Sequence, residues 1–331
     1  MCRSHFFVWS TVLVLFAQAK NTHAQLADVP AAFEAVQTEV RSLMFASGET
    51  HVPEGGHWQG VQMRFDANRT CHWMFLTHDS ATTAYVYVIK FPDSLNEPGK
   101  VAHVHEFPSD GGSPALRHSG GCQLRGNFLA VGVEDNQEKT RSEVQLWDIS
   151  DPLNFHQLPH LTVRRQGDAK SQTAGAVGLA EVDGHHILVV ANWDSRDIDF
   201  YQTNDGSLSD PKCCWNHIQR WSVSSADTSE WLPNTEYGAY QSVQLLTDAA
   251  GQLYLVGFHT SRDDVDTADL FIVNLEASAE KTLRKIASRT MMLQDGSRFR
   301  YAAGLWIDRG SLRFLASERT LQPTTHLTIT P

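Results

Sequence analysis

Three carboxylates and two histidines carry the chemistry that this sequence could perform. Each lies at the end of a short apolar run, and so at the end of a predicted strand. Carboxylate oxygens suit a hard cation such as Ca²⁺, and a carboxylate pair with a histidine could instead act as acid and base in hydrolysis. The candidate catalytic residues are Asp79, Glu134, Glu318, His118 and His259, and the candidate metal ligands are Asp79, Glu134 and Glu318. No other cofactor is evident.

A second set of polar and aromatic residues favours the binding of a ligand. Glutamine recurs inside three otherwise apolar predicted strands, which suggests a channel lined by polar groups and water. The alternative is that polar residues at loop ends are simply exposed to solvent. The candidate ligand-binding residues are His57, His118, Gln62, Gln123, Tyr240, Gln244 and Tyr301.

The elements that must position these side chains are five sequence repeats. Each repeat contains three short apolar strands separated by glycine or polar residues, and the first four repeats continue into a fourth strand. In such an antiparallel order, the loop before the first strand and the loop between the second and third strands open on one face. The first strands begin 55 to 66 residues apart, at Gly60, Gly121, Ala176, Ser242 and Ala303.

Repeats of this length and strand content predict an all-β chain that folds as a β-propeller with five blades of four antiparallel strands. The fifth repeat lacks a fourth strand, and the N-terminal segment is free to supply it. That pairing would close the ring and cover an exposed strand edge. A β-sandwich with an additional sheet also explains the strands, but it does not explain their regular spacing.

The N-terminal sequence predicts a segment that lies ahead of the folded domain and is removed by cleavage. Residues 1–24 contain a basic Arg3, the apolar run Phe6–Ala17 and a small-residue exit, as in a secretory signal peptide; a membrane anchor is the alternative. Residues 25–56 fit either a closing strand or a short helix, and residues 57–331 form the propeller domain. We therefore expect a secreted or periplasmic protein with no transmembrane span after cleavage.

The charge balance argues against one class of partner. The chain has 38 acidic and 27 basic residues, which gives a formal net charge of −11. An acidic chain gains little from contacts with phosphate groups, so we do not expect it to bind nucleic acid.

Four cysteines follow the predicted cleavage site and could form disulfides in an oxidising compartment. Cys71 and Cys122 are the favoured pair, because both lie on predicted inner strands of successive repeats. The adjacent Cys213 and Cys214 could form a vicinal disulfide or remain thiols. Asn68 begins a glycosylation sequon, whose use depends on the host.

One stretch resembles a known kind of repeat. Residues Val144–Pro152, with the sequence VQLWDISDP, are similar to the strand-ending motif of LVIVD-type repeats in secreted propellers and to the Trp-Asp ending of WD repeats. The D-I-S-D-P turn is absent from the other four repeats. The resemblance implies the propeller class and no particular activity.

Two functions are compatible with these features. The main expectation is a propeller that binds a glycan, a small molecule or a protein partner on its loop face. The alternative is a hydrolase that acts on a glycan or lactone, with or without a metal ion. Five-bladed enzymes of the arabinanase and levansucrase types place carboxylates on inner strands, whereas the first strands here carry Gln, Gly or Leu. The sequence also lacks the G-x-S-x-G, H-E-x-x-H and P-loop motifs.

Overall fold

The computed structural model describes residues 26–48 and 55–331, except residues 67, 109–110, 169 and 205. The predicted signal peptide, residues 1–24, lies outside the described residues and stays a prediction. Strands dominate, and the described residues contain one α-helix, α1, at Val29–Ala35. Asp28 caps this helix by accepting a hydrogen bond from the Ala31 amide, 2.8 Å away. No helix within the described ranges is long and apolar enough to cross a membrane.

After this helix, the described part of the chain forms twenty-one strands, numbered in sequence order. Strand β1 precedes the first repeat at Arg41–Ala46. The strands of the first repeat are β2 to β5, at Trp58–Phe65, Cys71–His78, Tyr85–Pro92 and Gly99–Glu106. The strands of the second are β6 to β10, at His118–Arg125, Phe128–Glu134, Arg141–Asp148, His156–Gln157 and Val163–Gln166.

The remaining three repeats follow the same plan. The strands of the third are β11 to β14, at Ala176–Val182, His185–Ala191, Asp197–Thr203 and Trp215–Ser222. The strands of the fourth are β15 to β18, at Ser242–Thr247, Leu253–Thr260, Asp266–Val273 and Leu283–Met291. The strands of the fifth are β19 to β21, at Arg298–Asp308, Ser311–Ser317 and Thr324–Ile329. Short 3₁₀ turns occur at Pro159–Leu161, Trp193–Ser195, Val223–Ser225 and Ala279–Lys281.

The all-β prediction is confirmed, and the middle repeats form separate antiparallel sheets. Strands β11 to β14 and β15 to β18 each pair in sequence order, and β10-β8-β7-β6 form a third sheet to which β9 adds. The five first strands, β2, β6, β11, β15 and β19, contact one another in a closed order around one axis. Sheets that radiate from a central ring of strands have the arrangement of a β-propeller.

The N-terminal segment supplies the strand that the fifth repeat lacks. Strand β1 pairs antiparallel with β21 along its whole length, from Arg41 opposite Ile329 to Ala46 opposite Thr324. Its end also pairs in parallel with β5, and β19 meets β2 through Ala303 and Gly60. These contacts join the first and last repeats into one closed path of eight strands. The segment therefore contains both of the elements that its pattern allowed, a helix and then a strand.

Small residues allow the first strands to approach closely at the axis. A Cβ atom on Gly60 would lie 2.7 Å from the Cys122 backbone nitrogen, which is closer than side-chain carbons approach backbone atoms. Apolar side chains fill the space between neighbouring sheets; the cluster around Ile198, Trp221 and Leu255, for example, joins the third and fourth repeats. Burial between sheets thus fixes their order around the axis.

The predicted disulfide between Cys71 and Cys122 is wrong. All four cysteines of the described residues are free thiols, including Cys213 and Cys214. The Cys122 sulfur lies beside the start of β2 at Gly60, whereas Cys71 opens β3 next to His72, which pairs with Phe65 at the end of β2. At about 3.3 Å per residue, this places the two thiols roughly 16 Å apart along the strand.

Candidate functional site

Four of the predicted loop residues meet at one end of the axis. His57 immediately precedes β2, and His118 is the first residue of β6. Asp79 follows β3 and Glu134 ends β7, so both lie at the same end as the histidines because each strand pair is antiparallel. We call these four residues the axial cluster.

The axial cluster is a chain of alternating acidic and imidazole groups. His118 lies between two carboxylates: its Nδ1 atom is 3.2 Å from Glu134 Oε1 and its Nε2 atom is 3.8 Å from Asp79 Oδ2. The other Asp79 oxygen, Oδ1, is 3.2 Å from Nδ1 of His57. Gln59 completes the set, because its amide nitrogen is 2.8 Å from His57 Nε2 and 3.0 Å from His118 Nε2.

The surrounding backbone holds both carboxylates in place. Glu134 is fully buried, and its Oε2 atom accepts a hydrogen bond from the Ala174 amide at 2.6 Å. That amide belongs to the loop that leads into the third repeat, so Glu134 joins two repeats. Asp79 accepts a hydrogen bond from the His57 amide. Of the two imidazole side chains, His57 is the more accessible, at 27% exposure against 8% for His118.

Burial and charge act in opposite directions on the pKa values of the cluster. Burial alone would lower the pKa of His118, but the carboxylates of Glu134 and Asp79 outweigh it and raise that pKa above its usual value. Burial would raise the pKa of Asp79, but its hydrogen bond with His57 and the charges of His118 and His57 lower it to about 2. The cluster thus favours an imidazolium beside an ionised carboxylate.

This arrangement suits proton transfer. A buried carboxylate at Nδ1 of His118 fixes the orientation of the ring and leaves Nε2 directed toward Asp79 and Gln59. The Gln59 amide can present its nitrogen to an unprotonated Nε2 or, after a half-turn, its oxygen to a protonated one. Sequence reasoning missed Gln59. The signal was its position two residues after His57 in an extended segment, where side chains share a face.

Two of the predicted residues belong to a separate buried group in the fourth repeat. The Tyr240 hydroxyl donates to Asp269 Oδ2 at 2.5 Å, and His259 Nε2 is 3.6 Å from the same oxygen. The Lys285 ammonium is 2.8 Å from it. Asp269 is fully buried and Lys285 nearly so, and the sequence analysis identified neither of them. Contacts of this kind tie β17 and β18 to the loop before β15.

Glu318 and Tyr301 contact other residues than those of the axial cluster in the described structure. Glu318 accepts a hydrogen bond from the His326 amide at 2.6 Å, and burial raises the pKa of its carboxyl group. Tyr301 lies below the Arg300 guanidinium, which is 5.7 Å from the ring centre.

Within the described ranges, no three His, Cys, Asp or Glu side chains form a group that could hold a metal ion. Calcium binding by Asp79, Glu134 and Glu318 stays a prediction.

The three predicted channel glutamines cross-link the first strands. Gln62 donates to Gln244 Oε1 at 2.8 Å, and Gln244 donates to the Cys122 carbonyl at 2.9 Å. Gln123 donates to the Leu245 carbonyl and accepts from the Leu245 amide, both at 2.7 Å. All three side chains are buried, with at most 4% exposure. They fill the axis with hydrogen bonds between repeats.

Comparison with known proteins gives structural similarity without sequence similarity. No protein-family model matches the chain, and no curated protein matches it. Similar solved structures include an endo-arabinase from Bacteroides thetaiotaomicron, with 12% identity and a TM-score of 0.49 over 87% of this chain and 96% of that one. The catalytic domain of a Coprinopsis cinerea GH62 α-L-arabinofuranosidase has 9% identity and the same TM-score and coverage. A GH43_1 enzyme from Xanthomonas citri, complexed with xylotriose, has 9% identity and a TM-score of 0.44 over 91% of this chain and 93% of that one.

Proposed function

We propose that the axial cluster is the acid–base centre of a hydrolase that acts on a glycan. The observation that carries the proposal is His118, whose imidazole lies between the buried carboxylate of Glu134 and the ionised carboxylate of Asp79. Pairs of titratable groups with pKa values pushed in opposite directions are typical of acid–base sites.

Each residue has a distinct role in this proposal. The His118 imidazolium donates its Nε2 proton to the glycosidic oxygen, and the neutral imidazole then takes a proton back from the attacking water. Asp79, 3.8 Å from Nε2, stabilises the imidazolium, because it is too close to His118 to act as a separate base on the other face of the sugar. Glu134 positions the imidazole and stabilises its positive charge. His57 keeps Asp79 ionised and, as the most exposed member of the cluster, lies where a sugar hydroxyl would arrive. Hydrolysis consumes one water and cleaves one glycosidic bond.

Binding without turnover, on the same face, is the second candidate function. The observation that favours it is the burial of His118 and Asp79, whose side chains are 8% and 9% exposed. A glycan or a protein partner could then contact the half-buried His57 without reaching the groups beneath it. The same site supports both candidates, so one experiment can separate them.

The test is an activity screen of wild type and variants. Reducing-sugar release from arabinan, xylan, fructan and galactan would be measured beside lactone hydrolysis and glycan binding. We expect His118→Gln and Asp79→Asn each to lose about 100-fold or more in rate, because general acid–base catalysis contributes roughly 10²–10⁴. His156→Gln is the matched control, because that exposed histidine is in β9.

The outcomes separate the candidates. Glycan release that persists unchanged in His118→Gln contradicts the proposed role of this residue. Binding without hydrolysis in wild type would establish the second candidate instead. Turnover of the lactone alone would keep the acid–base centre but move its substrate from a glycan to an ester.

We also propose that the eight-stranded path comprises two blades and that the propeller has five. The first strands of all five repeats share the axis, and the path meets at β19 and β2 through one residue pair, Ala303 and Gly60. The strands β19-β20-β21-β1 form one four-stranded unit and β2 to β5 form the other. The N-terminal strand would then complete the last blade.

A further inference from the structure

A cavity of about 470 Å³ lies at the opposite end of the axis from the axial cluster. Its wall includes the last residues of the first strands, such as Phe65 of β2 and Arg125 of β6. Since β2 begins beside His57 and ends at Phe65, eight residues later, the mouth of the cavity is roughly 25 Å from that histidine at about 3.3 Å per residue. Ligand sites commonly have volumes of about 300–1,000 Å³.

The charged side chains that line this cavity are mostly basic. They comprise four arginines, Arg64, Arg69, Arg125 and Arg309, and one carboxylate, Asp66. The cavity wall therefore carries an excess of positive charge, although the whole chain has a net charge of −11. Concave surfaces that carry one sign of charge concentrate ligands of the opposite sign.

Arg64 carries a partly buried charge without a paired carboxylate. Its guanidinium donates to Asn127 Oδ1 and to the Ile149 carbonyl, both at 2.6 Å, which are neutral acceptors. It forms no ion pair with any residue in the described part of the chain. Burial lowers its pKa, and the charge of Asp148 opposes that shift. A partly buried charge that is compensated only by a more distant carboxylate is costly, and a bound anion would offset the cost.

The carboxylates near the cavity are engaged elsewhere or lie outside its wall. Asp66 accepts hydrogen bonds from the Thr70 hydroxyl and the Cys71 amide, at 2.9 and 3.2 Å. Glu181 lies 3.5 Å from Arg125 but does not line the cavity. Asp308 is 3.0 Å from Arg313 and 3.9 Å from Arg309. Arg69 makes no ion pair with a described residue.

An aromatic surface lies beside the arginines. The Phe65 ring lies 5.2 Å from the Arg69 guanidinium and 5.8 Å from that of Arg309. The Trp306 ring centre is 5.4 Å from that of Phe65. Aromatic rings at this position favour a ligand that has a flat or apolar face as well as a charge. The floor is closed by Gln62 and Gln123 of the axial network.

We propose that this cavity binds a small ring-shaped organic oxyanion, such as a sugar that carries a carboxylate or a phosphate. The oxyanion lies among the guanidiniums, which match the geometry of both groups, and the ring lies near Phe65 and Trp306. This site is distinct from the axial cluster and does not depend on hydrolysis there.

Calorimetric titration at constant ionic strength tests the proposal. Glucuronate and glucose 6-phosphate are the anionic probes, and glucose is the neutral one. Wild type should bind at least one anion saturably, at one site per chain, and more tightly than glucose. The double variant Arg69→Gln/Arg309→Gln should bind that anion at least roughly tenfold more weakly, because it loses charge-assisted hydrogen bonds. Both arginines are exposed, so the fold should persist.

Two controls make the result specific. Arg262→Gln removes the same kind of exposed charge from the loop after β16, at the opposite end of the axis, and should leave binding unchanged. His118→Gln should also leave it unchanged. The proposal is overturned if neither anion binds, if glucose binds equally well, or if either control weakens binding as much as the double variant. The preferred anion identifies the carboxylate or the phosphate as the recognised group.

Discussion

At the scale of single residues, His118 shows how a buried imidazole keeps a positive charge. Burial of the His118 side chain disfavours its imidazolium form, and two carboxylates from different repeats stabilise that form. Because the folded pKa is raised above the unfolded value, the charge stabilises the protein fully below about pH 6.5. That contribution is lost as the pH rises through the folded pKa.

Replacing Glu134 by Gln should reverse this behaviour. Without the carboxylate that raises it, the pKa of His118 should fall below that of wild type, because burial remains and the closest negative charge is gone. The unfolding free energy of the variant should then lack the contribution that the charged His118 makes at acid pH in wild type. Imidazole NMR titration and chemical denaturation between pH 5 and pH 9 would measure both effects.

Glu138→Gln is the matched control for this prediction. Glu138 lies in the turn after β7, is exposed, and does not contact His118 in the described structure. We expect it to leave both the histidine titration and the pH dependence of stability unchanged. An unaltered His118 pKa in Glu134→Gln would contradict the assigned cause of the shift.

At the scale of elements, strand β1 determines whether the ring of sheets closes. Its inward residue Phe45 is fully buried and packs 6.2 Å from the Trp58 ring at the start of β2. Its neighbour Met44 points outward and is 37% exposed. Strand alternation thus places one large side chain in the core between the first and last repeats.

Phe45→Ala should destabilise the protein by about 3–5 kcal/mol, since it removes a buried ring and leaves a cavity. Met44→Ala, one residue away on the opposite face, should change the unfolding free energy by less than about 1 kcal/mol. Chemical denaturation of both variants measures the difference. A loss in Phe45→Ala as small as the one expected for Met44→Ala would mean that β1 contributes little to closure of the ring.

The apolar pattern predicted these elements because strand alternation and turn residues are local properties. The pattern of residues 25–56 remained ambiguous for the same reason: helical and strand periodicities overlap in so short a segment. The structure resolves it, with Phe33 buried in α1 and Leu43 buried in β1. The choice depends on contacts with strands almost 300 residues away, which no local pattern contains.

At the scale of the whole molecule, the glutamine network separates the two ends of the axis. Gln123 accepts hydrogen bonds from the amides of Leu179 and Leu245 and donates to the Leu245 carbonyl, so one side chain joins three repeats. These hydrogen bonds lie where the first strands converge. The axial cluster and the basic cavity therefore face solvent independently.

Gln123→Leu should destabilise the whole molecule. The change leaves two buried amides and one carbonyl without their partner, and each such group costs about 1–3 kcal/mol. We expect a loss of about 3 kcal/mol or more in unfolding free energy. Gln322→Leu, at an exposed site whose amide bonds to Thr320 within the same loop, is the control and should change it little. A mild effect of Gln123→Leu would show that packing alone holds the axis.

The sequence by itself determined the strands, their four-stranded repeats and the face on which His57, Asp79, His118 and Glu134 would lie. Those features follow from strand alternation, turn residues and antiparallel order, which depend on residues that are close together in the sequence. The tertiary structure alone decided which of the loop residues meet, that Cys71 and Cys122 stay apart, and that arginines gather at the far end of the axis. Such contacts join residues from different repeats, so they depend on how the sheets pack around the axis.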